Sequence, residues 1–146
     1  MARIAKSLRE ATEIYKAGMV KLPNSLPLRA AYAGHLARKM NRIGEGLDLV
    51  KKTLNEATGI LGVRHPDTIT VRHQYARILE FLNTHESRTE AIGVFAQVLA
   101  DREEVLKSEH PDTLASLYAM GNMCASVGDY AGALKRFTDL KTRRLR

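Results

Sequence analysis

The sequence predicts an all-α chain of about seven helices, paired into antiparallel hairpins that stack as a solenoid. Three observations carry this prediction. His65-Pro66-Asp67-Thr68 recurs 45 residues later as His110-Pro111-Asp112-Thr113. Apolar or small residues return every three or four positions through most of the chain, the period of a helix buried along one stripe. The surroundings of the two strings repeat as well, and no stretch alternates as a strand would.

Residues 3–22 set Ile4, Leu8, Ala11, Tyr15, Met19 and Leu22 on one stripe. Pro23, Asn24, Ser25 and Pro27 then break the helix. A second helix is expected from Leu28 to about Arg42, with Ala33, Leu36, Ala37, Met40 and Ile43 inward, followed by a tight turn at Gly44 and Gly46. A third, from about Leu47 to Leu61, buries Leu47, Val50, Leu54 and Leu61, and Gly62 stops it.

The first His-Pro-Asp-Thr string opens the fourth helix. Pro66 at a first helical position loses no hydrogen bond, Asp67 places negative charge at the positive helix end, and the Thr68 hydroxyl is expected to serve the first turn. That helix runs to about Leu82 over Ile69, Tyr75, Ala76, Leu79 and Leu82. Asn83–Ser87 reads as a polar loop, and a fifth helix from about Arg88 to Leu106 carries Ala91, Val94, Phe95, Val98, Leu99, Val105 and Leu106. The second string opens a sixth helix with Leu114, Leu117, Met120, Gly121 and Cys124. Gly128-Asp129 turns the chain into a last helix from about Tyr130, carrying Ala133, Leu134, Phe137 and Leu140.

Aligning the inner helices puts Ala37, Ala76 and Gly121 at one small-residue position, where two helices approach closely. Leu36, Tyr75 and Met120 precede them; Met40, Leu79 and Cys124 follow three residues on; Gly44, Asn83 and Gly128 fall at matching turns. A period near 40 residues made of helix–turn–helix units is the mark of a solenoid, in which no unit buries its face alone.

These residues resemble tetratricopeptide (TPR) repeats of the kinesin-light-chain type, whose units open with His-Pro-Asp and close with a charged helix and Val-Leu-Gly. The matching residues here are Ile60-Leu61-Gly62 before the first string and Arg102-Glu103-Glu104-Val105-Leu106 before the second. The resemblance covers residues 27–146 and implies a right-handed superhelix with repeats at 27–64, 65–109 and 110–146, all in a single domain. Residues 1–22 resemble an outer helix of a preceding unit. Departures are a 45-residue spacing longer than usual and Gly44-Glu45-Gly46 in place of Gly-x-Tyr.

Composition bounds the function classes. The 146 residues carry a formal charge of +7, from 23 basic and 16 acidic side chains. The excess sits in residues 1–50, with 9 basic against 4 acidic, and in the closing Lys141–Arg146, with four basic groups. A basic balance permits an acidic partner or nucleic acid without indicating either. One cysteine, Cys124, rules out an internal disulfide and fits a reducing compartment. No apolar run approaches the roughly 20 residues that span a bilayer, and Glu10 and Glu13 interrupt any leader pattern, so a cytoplasmic protein without a membrane partner is expected.

No catalytic constellation appears, and neither an enzyme activity nor a cofactor is expected. His65 and His110 sit at equivalent joints 45 residues apart, where a side chain bonding to backbone across the joint is the favoured reading over a metal ligand. His35, His73 and His85 have no Cys or carboxylate cluster at ligand spacing. Cys124 sits at a core position without a partnered base and reads as an inert buried thiol.

The resemblance implies a concave groove lined by the inner helices. Counted from Ala37, Ala76 and Gly121, its face carries Gly34, Arg38 and Asn41, then His73, Arg77 and Glu80, then Tyr118, Asn122 and Ala125. Arg38 and Arg77 fall at one place in consecutive units, with Asn122 at the third. Arginine forks suit carboxylates, and asparagine can pair with a peptide backbone. The expected function is therefore a non-catalytic adaptor, or part of a larger signalling protein, that binds a peptide or protein, with acidic partners favoured. A solvated face whose charges only keep the chain soluble is the plain alternative. Gly34 and His73 stand where a chaperone-tail carboxylate clamp wants longer groups, so that specialisation is not expected. A second class of function is a basic accessory domain binding nucleic acid through the first third and the Lys141–Arg146 tail, although no aromatic interleaving is present to stack bases. Self-association through the terminal helices is a further expectation.

Overall fold

A computed structural model describes residues 2–145, with side chains from residue 6 onward. Ile4 of the first stripe lies outside the described side chains. Seven helices are present among the described residues: α1 (Ala2–Lys21), α2 (Leu26–Arg38), α3 (Ile43–Leu61), α4 (Pro66–Leu82), α5 (His85–Leu106), α6 (Pro111–Ser126) and α7 (Tyr130–Arg144). No strand occurs among them, and none of the helices is long and apolar enough to cross a membrane. The chain gathers into two compact units, one ending at Leu82 and the other beginning at Asn83.

In the first unit α2 packs on α3 and α4, α3 packs on α4, and α1 docks on α2. The centre is built from small residues: Ala30, Ala33 and Ala37 of α2 and Ala57 of α3 meet Val50, Val71 and Ile78. Small side chains let backbones approach, and Gly46 takes this furthest. A Cβ there would stand 2.5 Å from the Ala33 carbonyl oxygen and 2.8 Å from the Ala37 Cβ. The Gly44–Gly46 turn expected from sequence is therefore absent. Both glycines lie in α3, which starts at Ile43, because Gly46 is needed where α3 crosses α2.

The α2–α3 turn falls earlier, since α2 ends at Arg38 and not near Arg42. Asn41 takes the left-handed conformation there, with φ 56°, as Asn83 (φ 59°) and Gly128 (φ 85°) do after α4 and α6. Each is followed by the residue that precedes the next helix: Arg42, Thr84 and Asp129. The turn equivalent to Asn83 and Gly128 is Asn41, not Gly44. Met40 and Ile43, placed inward by sequence, lie in the turn and at the first position of α3.

Thr84 and Ser87 form a reciprocal cap, each backbone N–H donating to the other's hydroxyl at 2.9 and 3.0 Å. The expected Asn83–Ser87 loop accordingly shortens, and α5 begins at His85. In this second unit α6 packs on both α5 and α7. Phe95, Val98, Leu117, Met120 and Met123 are buried, as is the single thiol, Cys124. The Phe137 ring lies over Gly121, where a Cβ would come within 2.5 Å of it. Leu82 and Leu134, counted with the core by their spacing, are exposed.

The two His-Pro-Asp-Thr joints are built alike. His65 Nδ1 accepts from the Asp67 N–H at 3.0 Å, and His110 Nδ1 accepts from the Asp112 N–H at 3.0 Å. The histidines thus cap their own helices instead of reaching across the joint. The threonines do the reaching. Thr68 Oγ1 donates to the Ala57 carbonyl at 3.3 Å and Thr113 Oγ1 to the Arg102 carbonyl at 3.2 Å, both fully buried. Each ties an inner helix to the outer helix before it, a job the first-turn reading of Thr68 missed.

Candidate functional site

On the first unit, α2 and α4 bring together most of the expected groove residues. Arg38 closes α2 half-buried, while α4 supplies Gln74, Arg77 and Glu80 on successive turns, with Arg77 exposed and Glu80 half-buried. Gly34 leaves the space between them: a Cβ there would stand 2.7 Å from Arg38 Nη2 and 3.0 Å from Gln74 Oε1. Arg38 Nη1 and Gln74 Oε1 are both shielded from solvent with no hydrogen-bond partner in the chain. A donor and an acceptor thus wait on either side of one glycine. Buried polar atoms in this state cost stability and call for an explanation, and these two lie beside the exposed Arg77.

The electrostatics agree with the geometry. Burial lowers the Arg38 pKa, and the neighbouring Arg77 charge adds to this, while Tyr15 of α1 and Glu80 oppose it. Burial raises the Glu80 pKa against the pull of Arg77 and Arg38. Two guanidinium groups therefore share one reluctant carboxylate, leaving net positive charge on a partly dehydrated face.

His73 is half-buried one residue before Gln74. Asn41 is exposed in the α2–α3 turn, so it leaves the helix face on which sequence had placed it. The turn also corrects the register: seven residues separate Ala76 from Asn83 and Gly121 from Gly128, and the same count back from Asn41 reaches Gly34, not Ala37. Arg38 then matches Glu80 and not Arg77. The two arginines meet because α2 and α4 pack together, not because they repeat. Gln74 and Tyr15 were missed by sequence reasoning. Gln74 could have been found from its place one turn before Arg77, but Tyr15 joins through the docking of α1 and has no local signal.

On the second unit, α6 presents Tyr118, 51% exposed, and half-buried Asn122. The Tyr118 and Phe137 rings lie 5.9 Å apart, tilted. Among the described residues no three His, Cys, Asp or Glu side chains stand together as a metal site would need.

Solved structures place this architecture. A Podosopora anserina chain assigned to kinesin light chain, with nearly identical TPR-like repeats, aligns with TM-score 0.71 at 23% identity, over 82% of this chain and 57% of that one. A single-substitution variant of that chain aligns equally well. BtubC (BKLC) from P. vanneervenii aligns with TM-score 0.72 at 14% identity, over 95% of this chain and 56% of its own. The fold is that of TPR-like repeats of the kinesin-light-chain kind. The TPR-like chain spans a little over half the length of these structures. No family model and no curated protein matches the sequence.

Proposed function

We propose that the chain is a non-catalytic protein-interaction module whose α2–α4 face grips an acidic, extended peptide. A TPR-like fold supports a scaffold role in general. The observation that carries the specific reading is the pair of unsatisfied buried atoms, Arg38 Nη1 and Gln74 Oε1, beside the Arg77 guanidinium. A carboxylate answers the exposed Arg77 guanidinium, and a shift of the side chains around Gly34 lets peptide groups reach Arg38 Nη1 and Gln74 Oε1, which the unliganded fold shields. His73 is assigned to the same ligand, Asn41 only to an end of it that reaches the α2–α3 turn, and Tyr118 and Asn122 of α6 to peptide contacts on the second unit. Its place is among soluble cytoplasmic adaptors, and it needs no cofactor.

The test is a fluorescence-anisotropy titration with a labelled peptide bearing Asp and Glu at alternate positions, against the same peptide carrying Asn and Gln. Charge-assisted hydrogen bonds contribute roughly 1.5–3 kcal/mol each. Arg77→Ala and Arg38→Ala should therefore each weaken the acidic peptide by roughly tenfold or more. Equal binding of the two peptides, or unchanged affinity in folded variants, would refute the assignment.

A further inference from the structure

The second unit carries a hollow that shares only Tyr118 with the groove reading. Tyr118, Phe137, Leu140, Lys141, Arg144 and Leu145 surround a space of about 430 Å³. Its floor is aromatic and aliphatic, since Leu140 is buried and Phe137 is held in place over Gly121. Leu145 stands 79% exposed on the rim beside two cations, with no acidic side chain in the lining. Such a site fits an aliphatic side chain flanked by carboxylates.

The chain carries that feature itself. On α1 a shallow groove is lined by Lys6, Arg9, Glu10, Glu13 and Ile14. Ile14 is 72% exposed, with Glu10 one helical turn before it and Glu13 next to it. Lys6 and Arg9 occupy the N-terminal part of that groove, leaving the carboxylates nearest the isoleucine. We propose that the α6–α7 hollow of one copy receives Ile14 of a second copy, with Lys141 and Arg144 meeting Glu10 and Glu13. The contact joins two different surfaces, so a pair leaves one α1 face and one hollow free to recruit further copies. This proposal does not rest on peptide binding at the α2–α4 face, and the substitutions that test it spare Arg38, Gln74, Arg77 and Tyr118.

The test is sedimentation velocity on the full chain, with circular dichroism to confirm that every variant is folded. The weight-average mass should rise above 16.3 kDa as concentration increases toward about 1 mM, the weak end of specific association. Glu10→Lys/Glu13→Lys and Lys141→Glu/Arg144→Glu should each weaken association roughly tenfold or more, because like charges then face each other. Mixing the two variants should restore it, since the acidic hollow of one now meets the basic helix of the other. Ile14→Ser should weaken association without altering its charge. A chain that stays monomeric throughout would leave the hollow to a different protein and overturn the proposal. So would association that survives both charge reversals, or a mixture no stronger than its components.

Discussion

His35 shows how much one side chain can hold. It is buried, its Nε2 lies 2.8 Å from Thr12 Oγ1, and its ring packs tilted against Tyr15 of α1 and stacked with Tyr32 of its own helix, so it fastens α1 to α2. The Thr12 hydroxyl already donates to the Leu8 carbonyl, so the imidazole N–H is the donor. Burial lowers the His35 pKa, and Lys39 and Arg38 lower it further. The unfolded chain then binds more protons than the folded one just below the ordinary value of about 6.5. This contribution to stability is complete above that pH and is lost as pH falls through the depressed folded pKa. Urea unfolding at a series of pH values should show the loss in the parent and a flatter profile in His35→Gln. Arg102 is a second such residue, buried with Nη1 donating to the Asp112 carbonyl at 3.1 Å and to Ser116 Oγ at 2.8 Å. Arg102→Ala should cost about 2 kcal/mol or more in thermal or chemical unfolding, because a charged donor and its partners are lost together. Neither role was legible in the sequence. His35 looked like one more scattered histidine and Arg102 like part of a charged helix, because burial depends on which helix arrives opposite.

At the level of elements, periodicity located every helix, and the errors fell at helix ends, above all the end of α2 and the starts of α3 and α5. The glycines misled at α3. Sequence gives glycine two readings, turn or close approach, and only the position of Ala33 and Ala37 chooses between them. Asn41 misled at α2, where an asparagine can remain helical or take the left-handed turn conformation. The same helix α3 supplies a controlled comparison. Gly59 has nothing within 4 Å of an added Cβ, whereas Gly46 meets a backbone carbonyl. Gly59→Ala should stabilise by about 0.5–1 kcal/mol through helix propensity. Gly46→Ala gains the same propensity but must push α3 from α2, at a cost of about 1–3 kcal/mol, so the net change should be a loss. Opposite shifts in melting temperature for the two variants are the expected result, and matching shifts would show that α2 and α3 can separate freely.

For the molecule as a whole, the fold class was readable because it rests on repetition, and each His-Pro-Asp-Thr joint proved to be built from the same two side-chain roles, a histidine cap and a threonine tie. The candidate site was only half readable. Sequence named Arg38, Arg77 and Glu80, but their meeting follows from helix packing, and the register that seemed to pair the arginines was one turn out. The charge of +7 belongs to this scale too. A positive chain attracts an acidic peptide from a distance, and salt screens that attraction over roughly 8–10 Å. The association rate should fall steeply as salt rises, while Glu80→Gln, which removes the internal competitor for the two arginines, should tighten binding at every salt concentration. Stopped-flow measurements on the parent and variant would separate the two effects.

Cys124 gives the chain a clock. It is the only thiol, buried in α6 two residues before the end of that helix and close to the Gly128 turn. With only 9% of the residue exposed, a thiol reagent reaches it fastest when α6 opens locally, so its labelling rate reports on that opening. No residue need be introduced to follow this motion. Protection that rises when a ligand or a second copy binds would report, from a single native atom, that the second unit has tightened.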